Sequence, residues 1–206
     1  MASSTLDTYP VHSSDAPTTA ILKAAHFSAI RHRFQKRKDG GTPYINHPIG
    51  VATLLAVEGG ITDPDVLSAA ILHDTVEDTE TSPAEILEHF GPRVASIVAE
   101  VTDDKDLPAA ERKLKQVELA AKKSPEAQVL KMADKLYNLR DMVRRVPNGW
   151  TAERVQEYFR WSKSVTDQCR HVNPRLAALL DDLYQNATFE HGGKTYKCLA
   201  DGSQTS

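Results

Sequence analysis

The stretch Val66-Leu67-Ser68-Ala69-Ala70-Ile71-Leu72 runs almost wholly apolar and then breaks into His73-Asp74-Thr75-Val76-Glu77-Asp78. A helix built on the first part must be covered by other elements. Charges at the end of such a helix are costly in an apolar setting unless something offsets them. Helical spacing would stack Glu77 over His73 and Asp78 over Asp74. Three carboxylates brought that close repel unless a cation sits among them. The segment therefore reads as half of a metal site with an acid–base pair beside it, carried on a helix inside a helical array.

The other apolar residues also recur at helical spacing. Ile21, Leu22, Ala25 and Ala29 mark a first helix, with Thr18 or Thr19 as its cap. His47-Pro48 begins a second, with Ile49, Ala52, Leu55 and Ala56 inward and Gly59-Gly60 as its stop. Asp63-Pro64 is a cap and first-turn signal for the helix that ends in the His-Asp cluster. Ser82-Pro83-Ala84-Glu85 is a capping box, opening a short helix closed by Gly91, and Pro92 starts another. A charged helix over about 108–123 follows. Ser124-Pro125-Glu126 then caps a long helix whose Val129, Met132, Ala133, Leu136, Leu139 and Val143 form one stripe. Thr151 caps the next, and Asn173-Pro174 begins the last. Only 188–199, around Gly192-Gly193, reads as strand, a small hairpin. The expectation is an all-α bundle of about eight to ten helices. It has an unstructured leader over 1–17, one domain over 18–187, and an extension over 188–206 with a hairpin and a flexible tail.

Composition narrows the function. With 206 residues, a net charge of −3 and 26% charged residues, the chain carries no sign of general nucleic-acid binding. No apolar run approaches the ~18 residues that a membrane span needs. Cys169 and Cys198 form neither a CxxC pair nor a disulfide framework, which suits a reducing cytoplasm and leaves thiolate ligation of a metal aside. Five of the eight residues Arg31–Lys38 are Arg or Lys. Such a run is either a solvated face or a phosphate clamp, and its nearness to Tyr44-Ile45-Asn46-His47-Pro48 favours the clamp. Asp134 lies at the edge of its helix's apolar stripe, where it either faces a pocket or pairs with Lys131 or Lys135. Of the remaining histidines, His12, His89, His171 and His191 read as solvated, and His32 as a support to the site.

Together His47, His73-Asp74 and Asp134 give the order His…His-Asp…Asp of the HD superfamily of metal-dependent phosphohydrolases. Tyr44–Pro48, Leu72–Thr79, Phe90-Gly91, Val101–Lys105 and Leu130–Arg140 resemble the small alarmone hydrolases, in particular the metazoan SpoT homologue type. The likeness runs from about residue 20 to 185. That resemblance implies removal of the 3′-pyrophosphate from guanosine tetra- and pentaphosphate with one Mn²⁺ per chain. It implies His47, His73, Asp74 and Asp134 as metal ligands, and Glu77 and Asp78 as catalytic carboxylates. Arg37, Lys38, Tyr44, Asn138, Arg154 and Tyr158 match positions lining the nucleotide site. The chemistry of the ligand set agrees: nitrogen ligands disfavour Mg²⁺ and Ca²⁺, and without thiolates Zn²⁺ has no special advantage. Two other readings stay open here. One is a different HD-type phosphohydrolase, for example a phosphatase acting on the 2′-phosphate of NADPH. The other is a non-catalytic nucleotide sensor that keeps the pocket.

Overall fold

A computed structural model describes residues 9–199, which contain nine α-helices and one two-stranded antiparallel sheet. The all-α expectation with a small C-terminal hairpin holds. The chain gathers into two compact units, one of residues up to Gln35 with Pro43–Lys105, the other of Lys36–Thr42 with residues from Asp106 onward. Length and helix count read as one domain, because nothing local in a sequence marks which helices share a hub.

In the first unit the hub is α3 (Pro64–Leu72), on which α1 (Pro17–Arg31), α2 (Asn46–Val57) and α5 (Pro83–Val101) all pack. Ala69, Ala70 and Leu72 of α3 are fully buried, and the two small alanines let neighbouring helices come close. Asp63 starts α3 by accepting the Asp65 N–H at 3.0 Å, with Pro64 at the first position. The first helix differs from expectation: its N-cap is Ala16 with Pro17 following, and no side chain caps it. Ser82 and Glu85 form the capping box of α5, and Gly91 (φ 81, ψ 172) breaks that helix where the sequence places its stop. The leader expected over 1–17 is tied down from Tyr9 on. Val11 N–H donates to the His89 carbonyl at 2.7 Å, and Lys23 binds both the Pro10 carbonyl and Asp15. His89 is correspondingly not solvated, since its ring packs edge-on against Phe27. Residues 1–8 lie outside the described residues.

In the second unit the hub is α7 (Pro125–Arg144), against which α8 (Ala152–Thr166), α9 (Pro174–Asn186) and strand β1 pack. The single stripe expected for α7 understates its burial. Gln128, Lys131, Asp134 and Lys135 are buried along with the apolar residues. The charged helix α6 (Ala109–Leu119) has no buried residue. Strands β1 (Thr188–His191) and β2 (Lys194–Lys197) pair with Phe189 opposite Tyr196, their rings stacked at 5.5 Å. Gly192 and Gly193 both have positive φ, as the tight hairpin turn requires. The tail from residue 200 lies outside the described residues.

Candidate active site

Helix α3 does not run on through the charged cluster. It ends at Leu72, and α4 (Thr75–Asp78) starts after a break at His73-Asp74. Two side chains terminate it. His73 Nδ1 bonds to the Ala70 carbonyl at 2.7 Å, and Thr75 Oγ1 donates to the Leu72 carbonyl at 2.6 Å. Both take acceptors that a continuing helix would give to backbone N–H groups. Because a carbonyl can only accept, Nδ1 of His73 carries the proton in the neutral ring, and Nε2 keeps its lone pair. The stacking of Asp78 on Asp74 survives the break, since Asp78 N–H donates to the Asp74 carbonyl at 2.8 Å.

That lone pair has specific neighbours. His73 Nε2 lies 3.1 Å and His47 Nε2 3.4 Å from Asp74 Oδ2, and both imidazoles are buried. Bonds of roughly 2.0–2.3 Å to an octahedral ion put adjacent ligand atoms about 3 Å apart. The spacing therefore fits three donor atoms converging on one cation. Tyr44 Oη donates to Asp74 Oδ2 at 2.7 Å and also lies 3.1 Å from Asp78 Oδ2. Its hydroxyl is engaged with carboxylates, and its ring lies 4.9 Å from that of His32, tilted by 30°.

The two carboxylates beyond differ in environment. Burial pushes the Glu77 carboxyl above its ordinary range, and the Asp103 charge adds to the shift. Glu77 Oε2 accepts the Asp103 backbone N–H at 3.2 Å, while Asp78 Oδ1 accepts from Lys105 Nζ at 2.7 Å. Burial pushes the nearby His32 imidazole below its ordinary range. It bonds through Nδ1 to Gln35 Oε1 at 2.7 Å, and Gln35 Nε2 donates to the Asp78 carbonyl. His32 thus supports the site through Gln35. Sequence reasoning did not single out Gln35, within the run Arg31–Lys38, or Lys105, within the matching segment Val101–Lys105, as site residues.

In the second unit, Asp134 is buried on α7. Its Oδ1 accepts from Asn138 Nδ2 at 2.7 Å, and Lys135 Nζ lies 3.9 Å from Oδ2. Asn138 Oδ1 accepts from Arg37 at 2.7 Å, and Arg37 also binds Asp141 at 3.0 Å. Arg37 thereby orients the Asn138–Asp134 pair. Lys38 and Arg154, both exposed, place their charges 5.4 Å and 4.3 Å from the Trp150 ring. Tyr158 stands between Trp150 at 5.8 Å and Trp161 at 5.2 Å. Trp150 is a further residue that the sequence reading did not single out, although Asn148-Gly149 before it marks the turn that presents it.

Comparison with known proteins places these features. The HD domain family matches over residues 24–160. The guanosine-3′,5′-bis(diphosphate) 3′-pyrophosphohydrolase MESH1 of Mus musculus is 55% identical over 166 residues, 80% of this chain and 93% of that protein. The Homo sapiens protein of the same name is also 55% identical, with the same coverage. A solved structure of a metazoan ortholog of SpoT, described as hydrolyzing ppGpp, superposes with a TM-score of 0.80 at 47% identity, covering 84% of this chain and 97% of its own. The chain belongs to the HD-domain family, in its group of metazoan SpoT homologues.

Proposed function

We propose that this protein hydrolyses guanosine 3′,5′-bis(diphosphate), and the corresponding pentaphosphate, at the 3′ position. Water is added across the bond between the ribose 3′-oxygen and its phosphorus, releasing pyrophosphate and leaving GDP or GTP with a free 3′-hydroxyl. The observation that carries this reading is the convergence of His47 Nε2, His73 Nε2 and Asp74 Oδ2, with Glu77 and Asp78 one turn further on. HD domains are metal-dependent; His47 and His73 of the first unit, and Asp134 of the second, are buried and each carry an atom able to bind a metal. With Asp74 they form the proposed ligand set for one Mn²⁺. The ion, when bound, activates water and offsets charge on the attacked phosphorus.

Glu77, whose burial favours the protonated form, is suited to exchange a proton with the reacting oxygens. Asp78, gripped at both oxygens, is suited to orient the attacking water. In the second unit Lys38, Arg154 and Tyr158 supply cations and a ring for the nucleotide, and Arg37 and Asn138 hold Asp134 in place; in the first unit Tyr44 holds Asp74. Guanosine with a diphosphate at each end carries two separated anionic clusters, which suits a site with cations on more than one element. Among the described residues no helix is long and apolar enough to cross a membrane. The free, buried thiols of Cys169 and Cys198 support a cytoplasmic setting.

The substrate assignment is tested by kcat/KM with Mn²⁺ on guanosine tetraphosphate, NADPH and a 5′-mononucleotide, side by side. Pyrophosphate release from the first should be much faster than orthophosphate release from the others. A clear preference for NADPH or the mononucleotide overturns the assignment.

A further inference from the structure

Four residues past the end of α5, Lys105 reaches back to α4 and donates from Nζ to Asp78 Oδ1 at 2.7 Å. The pair is open to solvent, with side-chain exposures of 49% for Lys105 and 31% for Asp78. Ion pairs this exposed contribute little to stability. The contact therefore needs a reason other than holding the fold together, and the geometry of Asp78 supplies one.

The terminal torsion of an aspartate is soft and roughly two-fold, so a carboxylate held at one oxygen still rocks about its Cβ–Cγ bond. Here the two oxygens are gripped from different sides: Oδ2 lies 3.1 Å from Tyr44 Oη, and Oδ1 takes the Lys105 ammonium. The backbone beneath is fixed as well, because the Asp78 carbonyl accepts from Gln35 and its N–H donates to the Asp74 carbonyl. The segment that carries Lys105 also holds Glu77, through the Asp103 N–H. One short stretch after α5 thus orients both carboxylates of α4. A lysine suits this task at a solvent edge, since it brings a point charge on a flexible stem and needs no fixed fork geometry.

We propose that Lys105 is a positioning residue for the hydrolysis, acting by fixing the plane of the Asp78 carboxylate. The inference rests on the proposed part of Asp78 in the reaction, and the test separates the two. Full-length, Mn²⁺-loaded protein is assayed on guanosine tetraphosphate as wild type, K105M, K105R, D78N and K105M/D78N. Misplacing a group by about 1 Å can cost ~10²-fold, so K105M should lower kcat about 10- to 100-fold, with KM and Tm little changed. K105R, which keeps a donor and a charge, should recover most of the rate. In the D78N background K105M should cost little more, because its target is already disabled. Wild-type kcat in K105M beside a disabled D78N overturns the inference and leaves the Asp78 reading intact. So does a loss confined to KM, a failure of K105R to recover activity, or an equal loss in both backgrounds. Wild-type turnover in D78N overturns the Asp78 reading itself.

Discussion

Glu77 shows at the scale of one residue how the site sets stability against chemistry. Its carboxyl is pushed up, first by burial and then by the Asp103 charge, from an ordinary value of 4.5. Below that ordinary value the group is protonated in both the folded and unfolded chain, and its burial carries no charge penalty. As pH rises through the ordinary value and then through the raised one, the folded state ionises a half-buried carboxylate, and stability falls. Glu77→Gln removes the charge and keeps an oxygen for the Asp103 N–H. Compared without metal, the variant should therefore have a higher Tm than wild type near neutral pH, with the gain closing below the ordinary value; compared with Mn²⁺ bound, its turnover should be ~10²-fold lower or more. Calorimetry at two pH values together with a turnover assay checks both halves. A variant less stable than wild type near pH 7, or one that keeps its rate, contradicts this account. That His47, His73 and Asp74 come together was legible in the sequence, because the order His…His-Asp is restrictive. Gln35 and Lys105 were not, because either residue in a loop is unremarkable until the chain folds back and brings it to Asp78. The hydroxyl contacts of Tyr44 with Asp74 and Asp78 were not legible either, since they depend on what faces Tyr44 in space.

Elements were legible where backbone chemistry leaves a local mark. The cap at Asp63, the box at Ser82 and Glu85, and the caps at Ser124, Thr151 and Asn173 all accept the expected N–H groups. Gly91 is the stop that the sequence predicts, and its φ of 81 with ψ of 172 lies in a region essentially reserved for glycine. A Cβ there would meet no neighbour within 4 Å, so the cost of Gly91→Ala is backbone strain alone. That variant should lose roughly 1–3 kcal/mol in urea unfolding, and an unchanged midpoint would mean that the backbone relaxes freely at this point. The break between α3 and α4 was not legible. Side chains of His73 and Thr75 end the helix by taking carbonyls one turn back, and the same residues at the same spacing also occur inside helices. Nor was the attachment of residues 9–16, which depends on a carbonyl of α5 far away in sequence.

At the scale of the whole molecule, the division of the described chain into two units accounts for what a linear reading misses. Each unit is built on one buried hub, α3 or α7; of the proposed ligands, His73 and Asp74 follow directly on the end of α3, and Asp134 lies on α7. Family membership follows from matches that span most of the chain, and the order His…His-Asp…Asp already pointed to it. The central claim joins one ion to one bond cleavage. Its most direct test is a single titration: Mn²⁺ is added back to metal-stripped protein while pyrophosphate release from guanosine tetraphosphate is followed. The account predicts no turnover without metal, and a rate that rises to a plateau at one ion per chain with pyrophosphate as the phosphorus-containing leaving product. Full turnover in the stripped protein, or release of orthophosphate in its place, would contradict it.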